Sequence, residues 1–183
     1  SIREAIKILV SFGVLDIRRP EGTFVANGFS DKMINPLLYG IILDQSDSID
    51  SLKELREWVD LGILELAMEK AEPEDLFQLE EQLNKLLKEI NGGDAHKIFI
   101  ADDEFHEAIS AHNSLLGQIA KLVRTLTSEM RMTTIRNMIK LGKSDELKKA
   151  HQDLFDIIER RDDDSARRLL VEGYFYRYNV LRK

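Results

Sequence analysis

Asp102 and His106 stand four residues apart, and around them Ile98, Ala101, Phe105, Ala108 and Ile109 recur at helical spacing. The carboxylate and the imidazole therefore fall within the apolar face of one helix. A second stretch repeats the pattern, with His151 sharing a stripe with Leu147, Leu154 and Ile158. Burying such groups is costly unless they are paired or ligated. Two ligands at i and i+4 on one helix, joined by a histidine from a neighbouring helix, suit a divalent cation. The same residues would also serve as an Asp–His hydrogen-bonded pair that specifies the core. One carboxylate and two imidazoles fit zinc, nickel or manganese, and they also describe a non-haem iron site. With no cysteine in the chain, thiolate ligands, disulfides and a cysteine nucleophile are excluded.

Positioning these side chains takes a helical scaffold, and from about Asp31 onward the chain reads as helix after helix. Pro36, Pro73 and Gly92-Gly93 are the main breaks. Ser51 to Ala71 is predicted as one amphipathic helix with Leu52, Leu55, Val59, Gly62 and Leu66 on a face. Pro73 suits the first turn of the next helix, to about Ile90, and Asp94 suits the N-cap of one running to about His112. Further helices are expected at 114–140, 144–160 and 163–181, the last opening on the acidic run Asp162-Asp163-Asp164. The fold class expected is all-α, an antiparallel bundle of six or seven helices over residues 31–183. Trp58 and the Tyr174, Phe175, Tyr176, Tyr178 cluster are expected to pack in the core. His96 and His112 are expected as exposed caps near helix ends. Arg56 and Arg131 are candidates to hold a carboxylate in the bundle, as a bidentate guanidinium does well.

Residues 1–28 differ in character. Ile2, Ala5, Ile6, Leu9 and Val10 recur at helical spacing, which leaves Arg3 and Lys7 on the opposite face. Gly13 ends that helix. Two β-prone runs follow, Val14–Ile17 and Thr23–Val25, around a basic tip, Arg18-Arg19-Pro20-Glu21-Gly22. Helix, hairpin and cation-rich turn are the parts a winged helix lays on DNA.

The wording of this segment, S-x-R-E-A-I at 1–6, then Gly13-Val14-Leu15 and Gly22-Thr23-Phe24-Val25, resembles the DNA-binding domain of the GntR superfamily of bacterial regulators. The resemblance implies that Arg3 contacts DNA from the recognition helix, with Lys7 beside it, and that Arg18, Arg19 and Gly22 belong to the wing. Pro20 stands where that family usually has glycine, and the first helices of the domain do not precede Ser1 in this sequence. The expectation is a partial winged helix-turn-helix that by itself binds DNA weakly or not at all. Residues 31–183 in turn resemble the FCD effector domain of the FadR-type branch. The carriers are Leu52-x-x-Leu55-Arg56-x-x-Val59-Asp60, Asp102-x-x-Phe105-His106, Asn113, Ala150-His151 and Ala166. Many such domains hold a metal through one aspartate and three histidines and receive a small organic acid there. By this resemblance Asp102, His106 and His151 match three ligands, while the last histidine falls at or beside Gly173, with Glu172 next to it as a possible contributor to the effector site.

The composition agrees. Of 183 residues, 33 are acidic and 26 basic, a net charge of -7 that would repel nucleic acid if spread evenly, whereas residues 1–25 are slightly basic. No apolar run approaches the roughly 18 residues of a membrane span, and no signal peptide is visible. The reading is a cytoplasmic, homodimeric transcription regulator, not an enzyme, with operator DNA and a small carboxylate as partners. The alternative is a metal-dependent oxygenase or hydrolase built on Asp102, His106 and His151. Against it, no nucleophile elbow or phosphate loop is visible.

Overall fold

A computed structural model describes residues 1–26 and 48–172. The chain divides into two units, Ser1–Leu52 and Lys53–Lys183. In the first, helix α1 spans Ile2–Ser11 and ends on Gly13, whose φ of 70° suits a residue without a side chain. Strand β1, Leu15–Arg18, pairs antiparallel with β2, Gly22–Val25, with Leu15 opposite Val25 and Arg18 opposite Gly22. The expected helix and hairpin are thus present, with the first strand shifted by one residue and the second starting one residue earlier. The expected burial of the α1 face is not. Ile2 is 81% exposed and no residue of α1 is fully buried; Ile6 and Val10 are half-buried, and among the described residues the hairpin strand β1 is what packs against α1.

Helices make up the described part of the second unit, the first of them beginning a few residues before its boundary: α2 Ser48–Lys70, α3 Pro73–Gly92, α4 Ala95–Ile109, α5 Ser114–Leu126, α6 Ser128–Lys140, α7 Ser144–Arg160 and α8 Asp163–Glu172. A 3-10 turn, Ser110–His112, joins α4 to α5. The boundaries have local causes. Pro73 opens α3, and Gly93 closes it in the left-handed conformation. The Asp94 carboxylate accepts from the His96 and Lys97 amides and caps α4, and the Asn113 side chain does the same for α5 through the Leu116 amide. Helix α4 packs along α3 and α6, α7 packs on α3, and the core of the bundle includes Leu64, Leu83, Leu86, Ile98, Phe105 and Ile158. No helix among the described residues is long and apolar enough to cross a membrane.

Three expectations are corrected. The helix expected over 114–140 is two helices meeting at Thr127. Its hydroxyl donates to the Val123 carbonyl at 2.9 Å, and Arg131 Nη1 donates to the Arg124 carbonyl, so side chains compete with the helical ladder at this point. Secondly, the buried face of α2 is rotated: Leu52 and Val59 are inside, but Leu55 and Trp58 are exposed and Arg56 is 4% exposed. Core polar partners draw Arg56 in. Thirdly, His112 is half-buried rather than an exposed cap, while His96 is exposed as expected. The region of the expected aromatic cluster at 174–178 lies outside the described residues.

Two contacts lock the ends of the bundle. Arg161, at a left-handed φ of 55°, follows α7 and donates to the carbonyls of Met68, Glu69 and Ala71, closing the C-terminus of α2 with a cation where the helix dipole favours one. Gly117 permits α5 to approach the 3-10 turn, since a Cβ there would stand 2.9 Å from the Ser110 carbonyl oxygen. Gly117→Ala is expected to lower stability by about 1–3 kcal/mol, seen as a lower urea midpoint. Gly92→Ala, where a Cβ meets nothing within 4 Å, serves as the neutral or stabilising control.

Candidate metal and effector site

The 3.6-residue period of α4 puts Asp102 and His106 on its inner face, one turn apart, and α7 brings His151 to meet them. One ligand atom from each lies within 4.8 Å of the other two. Asp102 Oδ1 stands 2.9 Å from His151 Nε2 and 3.7 Å from His106 Nε2. The rings of Phe105, His106 and His151 meet edge to face with centroids 5.5 to 5.7 Å apart, so Phe105 buttresses both imidazoles.

Hydrogen bonding orients the donors. His151 Nδ1–H donates to the Leu147 carbonyl at 2.8 Å, which turns Nε2 toward Asp102. With Nδ1 so engaged, Nε2 is the nitrogen left to a metal ion, which would lie between it and Asp102 Oδ1 when bound. A backbone carbonyl behind a histidine is the support that metal-ligating imidazoles commonly have. Ligand atoms around an ion at about 2.1 Å stand roughly 3–3.5 Å apart, within the spread seen here. The residues present therefore fit a divalent ion with three protein ligands.

A network of arginines surrounds the trio. Asp102 Oδ2 accepts from Arg124 Nη2 at 2.9 Å and from Arg131 Nη2 at 2.5 Å, and both cations also reach Asp103. Arg56 Nε donates to Asp60 Oδ2 at 3.3 Å, and its Nη1 donates to the Thr127 hydroxyl. Arg131 stacks on the Phe99 ring, 4.5 Å from its centroid. Burial alone would raise the Asp102 carboxyl, but the His151 hydrogen bond and the guanidinium charges hold it well below the usual carboxylate range. Burial, with the Arg124 charge adding to it, holds His106 well below the usual histidine range, which keeps its nitrogen available as a ligand. Asp60 is pushed up by burial, partly offset by Arg56.

A small cleft opens beside the trio, lined by Asp60, His106, Ala120 and Arg124 together with apolar side chains that include Ile63 and Leu154. Arg56 and Arg131 are committed to protein partners, and the arginine on the cleft wall is Arg124. The sequence carried a signal for it: Arg124 shares the stripe of Ala120, Val123 and Thr127 in the way that Asp102 shares one with Phe105. Gly173 and the Glu172 side chain lie outside the described residues. In the first unit Arg3 and Lys7 are exposed on α1, Arg18 and Arg19 are exposed on the hairpin, and Gly22 has a φ of 131°. Arg18 reaches Asp16 at 3.3 Å and covers the Phe24 ring.

Comparison with known proteins agrees with this architecture. The family model of the FCD domain matches residues 51–173. The galactonate operon transcriptional repressor of Escherichia coli (strain K12) is 29% identical over 174 residues, covering 90% of this chain and 72% of the repressor. The HTH-type transcriptional regulator LutR of Bacillus subtilis is 27% identical over 132 residues, 70% of this chain and 58% of LutR. Among solved structures, Streptococcus agalactiae GntR superposes with a TM-score of 0.61 at 24% identity, over 93% of this chain and 77% of that one, and so shares its fold. The chain belongs to the FCD-domain family, in the FadR-type branch of the GntR superfamily of transcription regulators.

Proposed function

We propose that this regulator is ligand-responsive: residues 31–183 form a domain that binds a small organic acid and pairs two chains, and residues 1–28 belong to a winged helix-turn-helix that reads operator DNA in the cytoplasm. The observation that carries this reading is the convergence of Asp102, His106 and His151 within 4.8 Å beside a cleft with Arg124 on its wall. These three residues would hold zinc, nickel or manganese, and the ion, when bound, would supply a Lewis-acidic centre for an oxygen ligand.

Charge balance supports the acid. Arg56, Arg124 and Arg131 offset Asp60, Asp102 and Asp103 in one network. A divalent ion held there would therefore add positive charge that nothing in the network cancels, and a carboxylate would cancel it. Arg124 meets that carboxylate at the cleft, with Arg56 and Arg131 behind it. A relative named for the galactonate operon points to the same ligand chemistry. Effector binding shifts the populations of the bundle, and a two-fold dimer carries that shift to two winged helices on a two-fold operator. Arg3 and Lys7 face DNA from the helix, and Arg18, Arg19 and Gly22 from the wing.

The test is elemental analysis of chelator-free protein beside the Asp102→Ala/His106→Ala double variant. Roughly one ion per chain in the parent and none in the variant is the expected result. No metal in the parent after incubation with zinc, nickel and manganese would overturn the metal reading. Sustained turnover with iron and a 2-oxo acid would overturn the regulator reading in favour of the oxygenase.

A further inference from the structure

The cleft carries two polar groups that ligation of an ion does not require. One is the outer edge of Arg124. Its Nε and Nη2 are spent on Asp102 and Asp103, and because a guanidinium is planar and rigid, Nη1 is held on the side away from those acids. Nη1 is buried and has no hydrogen-bond partner, on a side chain 8% exposed that lines the cleft. A buried donor left unpaired is costly, and a positively charged one most of all, so the site is built to receive an acceptor.

The other group is Asp60, which lines the same cleft from α2 with its side chain 14% exposed. Its Oδ2 accepts from Arg56 Nε, and no hydrogen bond to its Oδ1 is found among the described residues. An acceptor-only carboxylate would repel a ligand carboxylate and attract a ligand O–H. Asp60 and Arg124 therefore offer opposite hydrogen-bonding characters to one small ligand, beside His106.

We infer that Asp60 is a specificity-determining residue: Arg124 Nη1 takes the ligand carboxylate, and Asp60 accepts the proton of a hydroxyl on the adjacent carbon, so the cleft selects 2-hydroxy acids over the corresponding simple acids. The inference rests on the organic-acid reading above but adds a discrimination that reading does not require. It has a physical scale, since a hydrogen bond to a charged group, absent for the analogue lacking the hydroxyl, gives roughly 10-fold or greater selectivity.

Calorimetric titration of the full chain, with and without zinc, tests this using glycolate, acetate and methoxyacetate. Glycolate is expected to bind roughly 10-fold or more tightly than acetate. Methoxyacetate, which keeps the oxygen but has no proton to donate, should fall with acetate. In Asp60→Asn, which preserves shape and the Arg56 contact, the glycolate preference should collapse to within roughly 3-fold while acetate binding is retained. Asp60→Ala checks the same ratio should the amide bind the hydroxyl in reverse. Equal binding of glycolate and acetate by the parent, or an undiminished preference in both variants, overturns the role of Asp60 and leaves the organic-acid reading standing. Failure of every acid to bind, with and without zinc, overturns both.

Discussion

Asp102→Ala is expected to lower folding stability by about 3–5 kcal/mol and to abolish divalent-ion binding in the same step. The reason lies in how many partners one carboxylate serves. Its Oδ2 accepts from Arg124 and Arg131, and its Oδ1 faces His151 and His106. Both guanidinium groups are at most 8% exposed, so removing the carboxylate leaves two buried cations leaning on Asp103, whose side chain is 41% exposed. Breaking a buried pair from one side costs far more than the pair itself contributes, because the remaining charge stays desolvated. For a chain of this length the loss corresponds to a fall in Tm of roughly 6–20 °C. Urea unfolding of metal-free protein reads the stability change, and elemental analysis reads the ion. Asp102→Asn should lose the ion with a smaller stability change, because the amide oxygen still accepts from one arginine. A stability loss below about 1 kcal/mol for Asp102→Ala would mean that water enters and resolvates the arginines.

Phe105→Ala is expected to cost a further class of about 3–5 kcal/mol, this time by leaving a cavity. Phe105 is completely buried, and its ring stands edge-on to both histidines. The cavity would free His106 and His151 to leave their rotamers, so ion affinity should fall together with stability. Leu86→Ala supplies the contrast. Leu86 is equally buried, but its helix contributes no candidate ligand, so its loss should lower the urea midpoint with ion affinity unchanged. Equal effects of the two substitutions on ion affinity would show that Phe105 acts only as core volume.

Much of the site was legible because its signal is local. A carboxylate and an imidazole one turn apart within a row of apolar residues must share the buried face of their helix, whatever the fold. His151 was readable for the same reason, and Asp94 and Gly93 announced their cap and break through the chemistry of their own side chains. The motifs at 52–60 and 102–106 likewise pointed to the FCD domain, which the family match over 51–173 then bore out.

Periodicity could not rank neighbours on the edge of a stripe. Leu55 and Arg56 differ by 100° on a helix, and hydrophobicity favoured the leucine. The fold buried the arginine because Asp60 and Thr127 wait for it. The break at Thr127 had no glycine or proline to mark it; it coincides with side-chain hydrogen bonds to the Val123 and Arg124 carbonyls, which hydrophobic periodicity does not register. Arg124 shows the limit most clearly. Its place on an apolar stripe was visible, but its partners lie 21 and 22 residues away on another helix.

Most helix faces, the caps, the burial of Asp102 and of His151 on their own helices, and the family followed from residue types at fixed spacing, because those depend on a backbone period that each segment carries within itself. That His151 meets Asp102 and His106, which arginine stands at the cleft, which ones brace it, and that Asp60 lines the same cleft as Arg124 were decided by packing between helices, because charge pairing and desolvation depend on distances that no single segment contains.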